Sequence, residues 1–411
     1  RETLADGVDM LRGFDENKVD GHQLVVTYAD GTVARFPTDF TWQAAFAGPV
    51  REASLFQGEI YDATREAAYA GWSTAQYQPG ADWLPCHEVQ LEGTIAHAEP
   101  EGIFAWPCPD DYSHYQLTAQ IGLPVRHNRT IQAQSLEEVR PGVYLYDMGQ
   151  NMAGVPRITF HHLQPGQRVY IRLAEVRYPS LPDYAGNEGM VMMENLRGAM
   201  HQDLYIARGG ETEVYQRRYT YHGYQYVELT TSAPADPYRP STLQSLPAPA
   251  EVEGIVLSSV DAVAADFTSS NPLLNRFFRN VEWSSLANIF SVPTDCPQRN
   301  ERMGWSGDLS VFSPTMSYMF NGASFLRRQL TALRNGMDER GNFPAIAPSA
   351  GGFGGTLWSS VGIAMPWQSF VQYNDLEAIR EHYPAMQRFI ECILTTHINP
   401  TDHDYRGSGT F

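Results

Sequence analysis

With 411 residues, 43% of them hydrophobic and 18% charged, the chain has a globular composition and is too long for one ordinary core. Its net charge of −18, from 47 acidic and 29 basic residues with no Lys/Arg-rich run, argues against nucleic acid or an anionic membrane as a partner. No apolar run approaches the roughly 18 residues of a membrane-spanning helix, so none is expected.

In chain order, residues 1 to about 258 read as β. HQLVVTYADGTVARF alternates Leu24, Val26 and Tyr28, turns at Asp30-Gly31, and resumes at Val33 and Phe36, which predicts a hairpin. RITFHHLQPGQRVYIRLAEV repeats that pattern around Gln164-Pro165-Gly166, and YQRRYTYHGYQYVELTT around His222-Gly223. Short strands with frequent turn signals point to β-sandwiches. Tyr219, Tyr221, Tyr224 and Tyr226 are expected on one strand face, which could stack a saccharide but is expected to pack against the helical domain. The Pro/Ser-rich stretch 232–254 reads as an extended loop or linker.

The period then changes. Asn271 is a candidate N-cap with Pro272 at the first helical position, and Leu274, Phe277, Phe278 and Val281 follow at helical spacing. Further helices are predicted over about 308–320, 323–335, 358–373 and 375–398. Successive helical hairpins suggest an α/α toroid, of which only the first part is expected here. Cys86, Cys108, Cys296 and Cys392 show no CxxC or Cys/His zinc spacing and read as reduced, mostly buried thiols. Nothing in the sequence calls for a metal or another cofactor.

Between the first two helices lies PTDCPQRNERMGWSGD, residues 293–308. It holds Asp295, Glu301 and Asp308, the bases Arg299 and Arg302, and Trp305. A loop held by rigid helices is a common place for function. Read as a sugar site, its arginine and carboxylates grip hydroxyls, the tryptophan faces the apolar side of a ring, and one carboxyl donates a proton. Like charges and burial raise a carboxyl pKa, which suits that role. Read as structure alone, the same residues form an ion-pair network tying the loop to the helices. Composition leaves both readings open.

The segment TDCPQRNERMGWSGD resembles the signature of the bacterial α-L-rhamnosidases of glycoside hydrolase family 78, where such a run opens a catalytic (α/α)6 barrel. YDMGQNMAGVPRITF, LAEVRYP, ENLRGAMHQDLY and RRYTYHGYQYVEL are similar to the β-sandwich domain preceding that barrel, and TDFTWQAAFAGPVREASLFQGEIYDA to the end of an N-terminal sandwich. The resemblance implies three domains: the C-terminal part of an N-terminal β-sandwich (1–120), a second β-sandwich (121–260), and the truncated start of the (α/α)6 barrel (261–411). It implies Glu301 as general acid, Asp295, Arg299 and Asp308 as ligands of rhamnose hydroxyls, and Trp305 and Trp358 as walls of the sugar pocket. Trp367, after a proline in a helical pattern, is expected in the core. Asn300 stands where many relatives carry Asp, which removes one charge beside Glu301, and Ser360 likewise replaces an Asp. Motif residues such as His222 are expected to be structural. Gly351–Gly355 is expected at a mobile edge of the pocket.

The implied function is an exo-acting, inverting α-L-rhamnosidase, a hydrolase of terminal α-L-rhamnose in plant glycosides or rhamnose-containing polysaccharides. In the family the general base lies far downstream, so it is unknown here and expected beyond Phe411; Asp338, Glu339 and Asp375 are not assigned to it. The alternatives are a non-catalytic carbohydrate-binding protein on the same architecture and, last, a polysaccharide lyase. The implied partner is a rhamnosylated small molecule or oligosaccharide, and a homodimer is allowed. The compartment stays open between bacterial cytoplasm and periplasm.

Overall fold

The computed structural model describes residues 23–37, 41–86, 121–232, 243–244, 246–260, 263–348 and 352–397. Strands β1 (Gln23–Thr27) and β2 (Val33–Pro37) form the antiparallel hairpin that the alternation implied, turning through Gly31 at φ +85°. Strand β3 (Gln43–Ala45) pairs with β6 (Trp83–Pro85). Between them, β4 (Val50–Ser54) and β5 (Gly58–Asp62) do not stay local. β5 runs parallel to a strand some 140 residues later and joins the main sheet.

That sheet has 11 strands. Its further members are β7 (Arg126–Gln132), β8 (Ser135–Arg140), β9 (Val143–His161), β10 (Arg168–Ala174), β11 (Gln202–Ile206), β12 (Thr212–Gln216), β13 (His222–Ser232), β14 (Leu243–Gln244) and β15 (Glu251–Ser258). The path runs β4-β5-β11-β10-β13-β9-β15-β7, with β8 and β12 on β9 and β14 on β13. The long strand β9 organises it. Its first half pairs with β8 and β13, and its second half with β12 and β15. Alternate residues Val169, Ile171 and Leu173 of β10 are fully buried on one face, against Tyr146, Met152, Ile158, Tyr224 and Val227.

Four local readings need correction. The turn at Gln164–Gln167 forms, but β9 and β10 are not hairpin partners, because β13 lies between them. His222-Gly223 is not a turn but the start of β13, and β12 and β13 both pair with β9 rather than with each other. The described end of the expected linker, from Glu251, is strand β15, inserted between β9 and β7. The four tyrosines do not share a face, since the step from Tyr221 to Tyr224 is odd. Tyr224 sits in the sheet core, whereas Tyr221 stacks on Phe290 of the helical region at 3.6 Å.

Beneath the sheet core lies a buried charge cluster. Arg217 Nη2 is 2.6 Å from Asp203 Oδ2, both side chains fully buried, and the Tyr215 hydroxyl lies 3.0 Å from Asp203 Oδ2 and 3.2 Å from Glu59 Oε1. Burial, then the Asp203 charge, pushes Glu59 up to about 7. Glu59 therefore keeps a proton in the folded state that the unfolded chain releases near its ordinary value, so its contribution to stability falls as pH rises from about 4.5 to 7. Glu59→Gln should remove that loss. Its unfolding free energy relative to the unsubstituted protein, from denaturant titration, should be higher at pH 8 than at pH 5, by an amount on the order of 1–3 kcal/mol; equal differences at both pH values would refute this.

The helical region follows the sheet. Helix α1 (Pro272–Asn288) starts where expected: the Asn271 side chain accepts from Leu273 N, and Pro272 takes the first turn. It is tied to the sheet through Arg129, whose Nη2 is 3.2 Å from the Glu282 carboxylate and whose guanidinium lies over Trp283. After β16 (Ile289–Phe290) and β17 (Val292–Pro293) come α2 (Ser306–Met319), α3 (Ala323–Asn335), α4 (Thr356–Ser359), α5 (Val361–Tyr373) and α6 (Leu376–Cys392). Helix α5 packs against α2, α3 and α6. Asp375 caps α6 and takes a bidentate pair from Arg327. Trp367 is 59% exposed, against the expectation of a core position; its ring lies against Phe370 on the open side of α5. Leu273, Leu274 and Phe277 of α1 are also exposed. Among the described residues no helix is long and apolar enough to cross a membrane, and Cys86, Cys296 and Cys392 are free thiols; Cys108 lies outside the described residues.

Candidate active site

The 293–308 loop is held at three places. At its start, β16 and β17 turn tightly through Ser291 at φ +64°, and Ser291 N donates to Ser259 Oγ at 2.7 Å. At its end, Ser306 N and Oγ donate to Ala345 O and Pro344 O, and Ala347 N donates to Gly304 O. Gly304 is required there, because a Cβ would meet Ala347 O at 2.1 Å.

The third hold is Arg302, which is 6% exposed. Its Nη1 donates to Leu55 O and Tyr221 O, both at 2.7 Å. Nη2 lies 2.6 Å from His201 Nε2 and 2.9 Å from His222 Nδ1, and Nε donates to Arg299 O at 3.1 Å. The guanidinium also lies over the rings of Phe56 and Tyr221. Burial, followed by the nearby arginines, depresses His201 to about 2, and His222 is likewise held well below its ordinary value. Both are therefore neutral and present a ring nitrogen as acceptor. His222 is structural, in line with expectation, and its work is to bind this arginine.

With the loop so fixed, Arg299 Nε donates to Glu301 Oε2 at 2.8 Å, and Arg299 Nη2 lies 3.6 Å from Asp295 Oδ2. Asp295 Oδ1 accepts from Met303 N, closing the turn, while Oδ2 is buried with no hydrogen-bond donor among the described residues. Burial, reinforced by the Glu301 charge, raises the Asp295 carboxyl above its ordinary value, and the same causes in the same order raise Asp308. Glu301 Oε2 takes a second donor, Arg197 Nη1 at 2.9 Å, from the turn between β10 and β11. Asn300 Oδ1 accepts from Gly198 N of the same turn, at 3.2 Å. Sequence reading missed Arg197, which lies 104 residues from its partner.

A cleft of about 500 Å³ opens beside this network. Asp295, Asp308 and Trp358 line it together with Thr294, Asn288, Leu309 and Phe312. The Trp358 indole lies so close over Gly307 that a Cβ there would meet it at 2.5 Å, and over Gly354 at about 3 Å. Trp305 caps α2 through its backbone and bridges to Ile346; it is half-buried and is not among the cleft-lining residues. Ser360 Oγ donates to Leu357 O, away from the cleft lining. Gly351 lies outside the described residues, and Gly354 is the part of that stretch seen against Trp358. Asp295, Cys296 and Glu301 bring ligand atoms within 4.8 Å of one another. They suit a cation poorly: a guanidinium already faces both carboxylates, and burial pushes the Cys296 thiol up to about 11.

Comparison with known proteins gives a consistent result. Three family models match in succession: an α-L-rhamnosidase N-terminal domain over residues 13–103, a bacterial α-L-rhamnosidase concanavalin-like domain over 137–257, and a bacterial α-L-rhamnosidase 6 hairpin glycosidase domain over 262–409. The chain is 34% identical over 370 residues to an α-L-rhamnosidase of Streptomyces avermitilis, covering 90% of this chain and 32% of that protein. It is 31% identical to one from Alteromonas sp., covering 90% and 36%. The solved Streptomyces avermitilis α-L-rhamnosidase complexed with L-rhamnose superposes with a TM-score of 0.74 at 32% identity, over 92% of this chain and 32% of that one. The Dictyoglomus thermophilum α-L-rhamnosidase gives 0.73 at 28%, over 91% and 38%. This chain spans about a third of the length of these relatives.

Proposed function

Because this chain belongs to the bacterial α-L-rhamnosidase family, we propose that it carries the acid side of an active site that hydrolyses terminal α-L-rhamnosides. The observation that supports this best is the joining of Asp295, Arg299 and Glu301 in one charge network that reaches, through Asp295, a cleft lined by Asp308 and Trp358; Arg299 and Glu301 are not themselves among the lining residues. The cleft is of a size that takes a small ligand.

In this reading Asp295, Arg299 and Asp308 bind rhamnose hydroxyls, and Trp358 supplies apolar wall for the ring and its C6 methyl; Trp305, outside the cleft lining, is left without that role. Glu301 gives a proton to the glycosidic oxygen as the bond from C1 breaks. A water attacks C1 from the opposite face, and a second carboxylate takes its proton. An inverting enzyme holds two such carboxylates about 6.5–9.5 Å apart. We assign the second one to chain beyond Phe411, in keeping with relatives about three times as long. Asp375 and Asp338 are unsuited to it. Asp375 is bound to Arg327 and caps a helix, and Asp338 accepts from Gly341 N, Asn342 N and Asn342 Nδ2. The helical region is read as the opening hairpins of an (α/α)6 barrel; the uncovered apolar residues Leu273, Leu274 and Phe277 of α1 support further helices against that face. The binding-only alternative is not favoured, since the relatives are named as hydrolases.

Proton NMR of the full-length protein acting on an aryl α-L-rhamnoside tests the reaction and its stereochemistry together. β-L-rhamnose should appear first and then mutarotate. The α-anomer appearing first would overturn inversion, and no free rhamnose would overturn the activity.

A further inference from the structure

The turn that carries Arg197 is built with care. Leu196 and Ala199 on either side are buried, Gln57 Nε2 donates to Gly198 O, and Met200 N donates back to Gln57 Oε1. Arg197 itself has φ +56° and ψ −119°, a backbone region that L-residues avoid and glycine accepts. A non-glycine residue kept in such a conformation points to a use for its side chain. That side chain is 61% exposed, so packing does not explain it. It ends on Glu301 Oε2. Two other residues with positive φ, His201 and Arg302, meet in the same interdomain contact.

The geometry restricts the carboxyl. Oε2 accepts from Arg197 Nη1 at 2.9 Å and from Arg299 Nε at 2.8 Å. A carboxylate oxygen has two lone pairs, and both are engaged. A proton carried by Glu301 must then sit on Oε1. Of the two arginines, Arg299 is shared with Asp295 and stands among the residues read as sugar ligands. Arg197 contacts the acid from the sheet domain, outside the loop.

We propose that Arg197 is a positioning residue for the acid: it anchors Oε2 of Glu301 so that Oε1 alone presents the proton to the leaving oxygen. The inference rests on the rhamnosidase reading above. It concerns only departures that need a proton, and that gives it a distinct signature.

The test compares the full-length protein with Arg197→Gly and Arg197→Lys on two substrates, a rhamnosyl disaccharide and 4-nitrophenyl α-L-rhamnoside. The sugar alkoxide needs protonation, whereas 4-nitrophenolate leaves largely without it. Arg197→Gly should fall roughly 10²-fold in kcat/KM on the disaccharide, the size of effect that a small misplacement produces, and less than about tenfold on the aryl substrate. The loss should lie in kcat. Its melting temperature should stay level or rise, because glycine relieves the backbone. Arg197→Lys, which keeps the cation, should recover part of the disaccharide activity. Equal losses on both substrates, or no loss, would overturn the proposal. If the unsubstituted protein releases rhamnose from neither substrate, the rhamnosidase reading fails first and takes this one with it.

Discussion

Arg302→Met should destabilise the protein by roughly 3–5 kcal/mol, read as a lower denaturant midpoint with an unchanged slope. Methionine keeps much of the buried stem but donates nothing. Three carbonyls and two neutral histidine nitrogens lose their shared donor. The carbonyls keep other donors, Thr220 Oγ1 at 2.9 Å from Leu55 O and 3.5 Å from Tyr221 O, and Glu301 N at 2.9 Å from Arg299 O, so the heaviest loss falls on the two histidine nitrogens. A buried polar group left unpaired costs about 1–3 kcal/mol. The cation is itself stressed, since burial lowers Arg302 to about 10, so part of the loss is offset by removing a buried charge that has no carboxylate partner among the described residues. Arg302→Lys should recover little, because an ammonium cannot reproduce the planar fork that reaches Leu55, Tyr221, His201 and His222 together. Catalysis should fall with stability, since the same side chain holds the loop bearing Asp295, Arg299 and Glu301. A Met variant as stable as its parent would show that the helical loop docks on the sheet by other means.

The sequence was most legible where structure is local. Asn271-Pro272 and Asp375 cap helices as their chemistry dictates, and the 3.6-residue period located every long helix to within a few residues. The Asp30-Gly31 turn was equally plain. Adjacency between strands was not. The alternation on either side of Gln164–Gly166 is the same whether two strands pair or admit a third between them, and here β13 comes between. Trp367 misled because a helical period locates a face without saying whether another element covers it.

At the candidate site, the 293–308 loop announced its own members through unusual composition. It could not announce its anchors. Apart from Arg299, the partners of Arg302 lie 80 to 247 residues away, and Arg197 is one exposed arginine in a turn whose strain appears only in its backbone angles. Asn300, noted as a missing charge beside Glu301, also has a hydrogen-bonding role: its amide oxygen ties the loop to that same turn. The two readings of the loop, sugar site and ion-pair network, are both present in one object. The ion pairs hold the carboxylates where a ligand would meet them.

The most direct test of the central claim is rhamnose release from a rhamnosyl disaccharide by the full-length protein and its Glu301→Gln variant. Glutamine keeps the shape and, with its amide oxygen in the place of Oε2, the acceptor for both guanidinium groups, but has no proton to give. A disaccharide has a poor leaving group and depends fully on that proton. The expected result is a fall in kcat of about 10²–10⁴-fold, with rhamnose binding retained by calorimetry because Asp295, Arg299, Asp308 and Trp358 are unchanged. Release at the parental rate would contradict the account, moving the acid away from Glu301 and leaving the 293–308 loop as a structural tie between two domains.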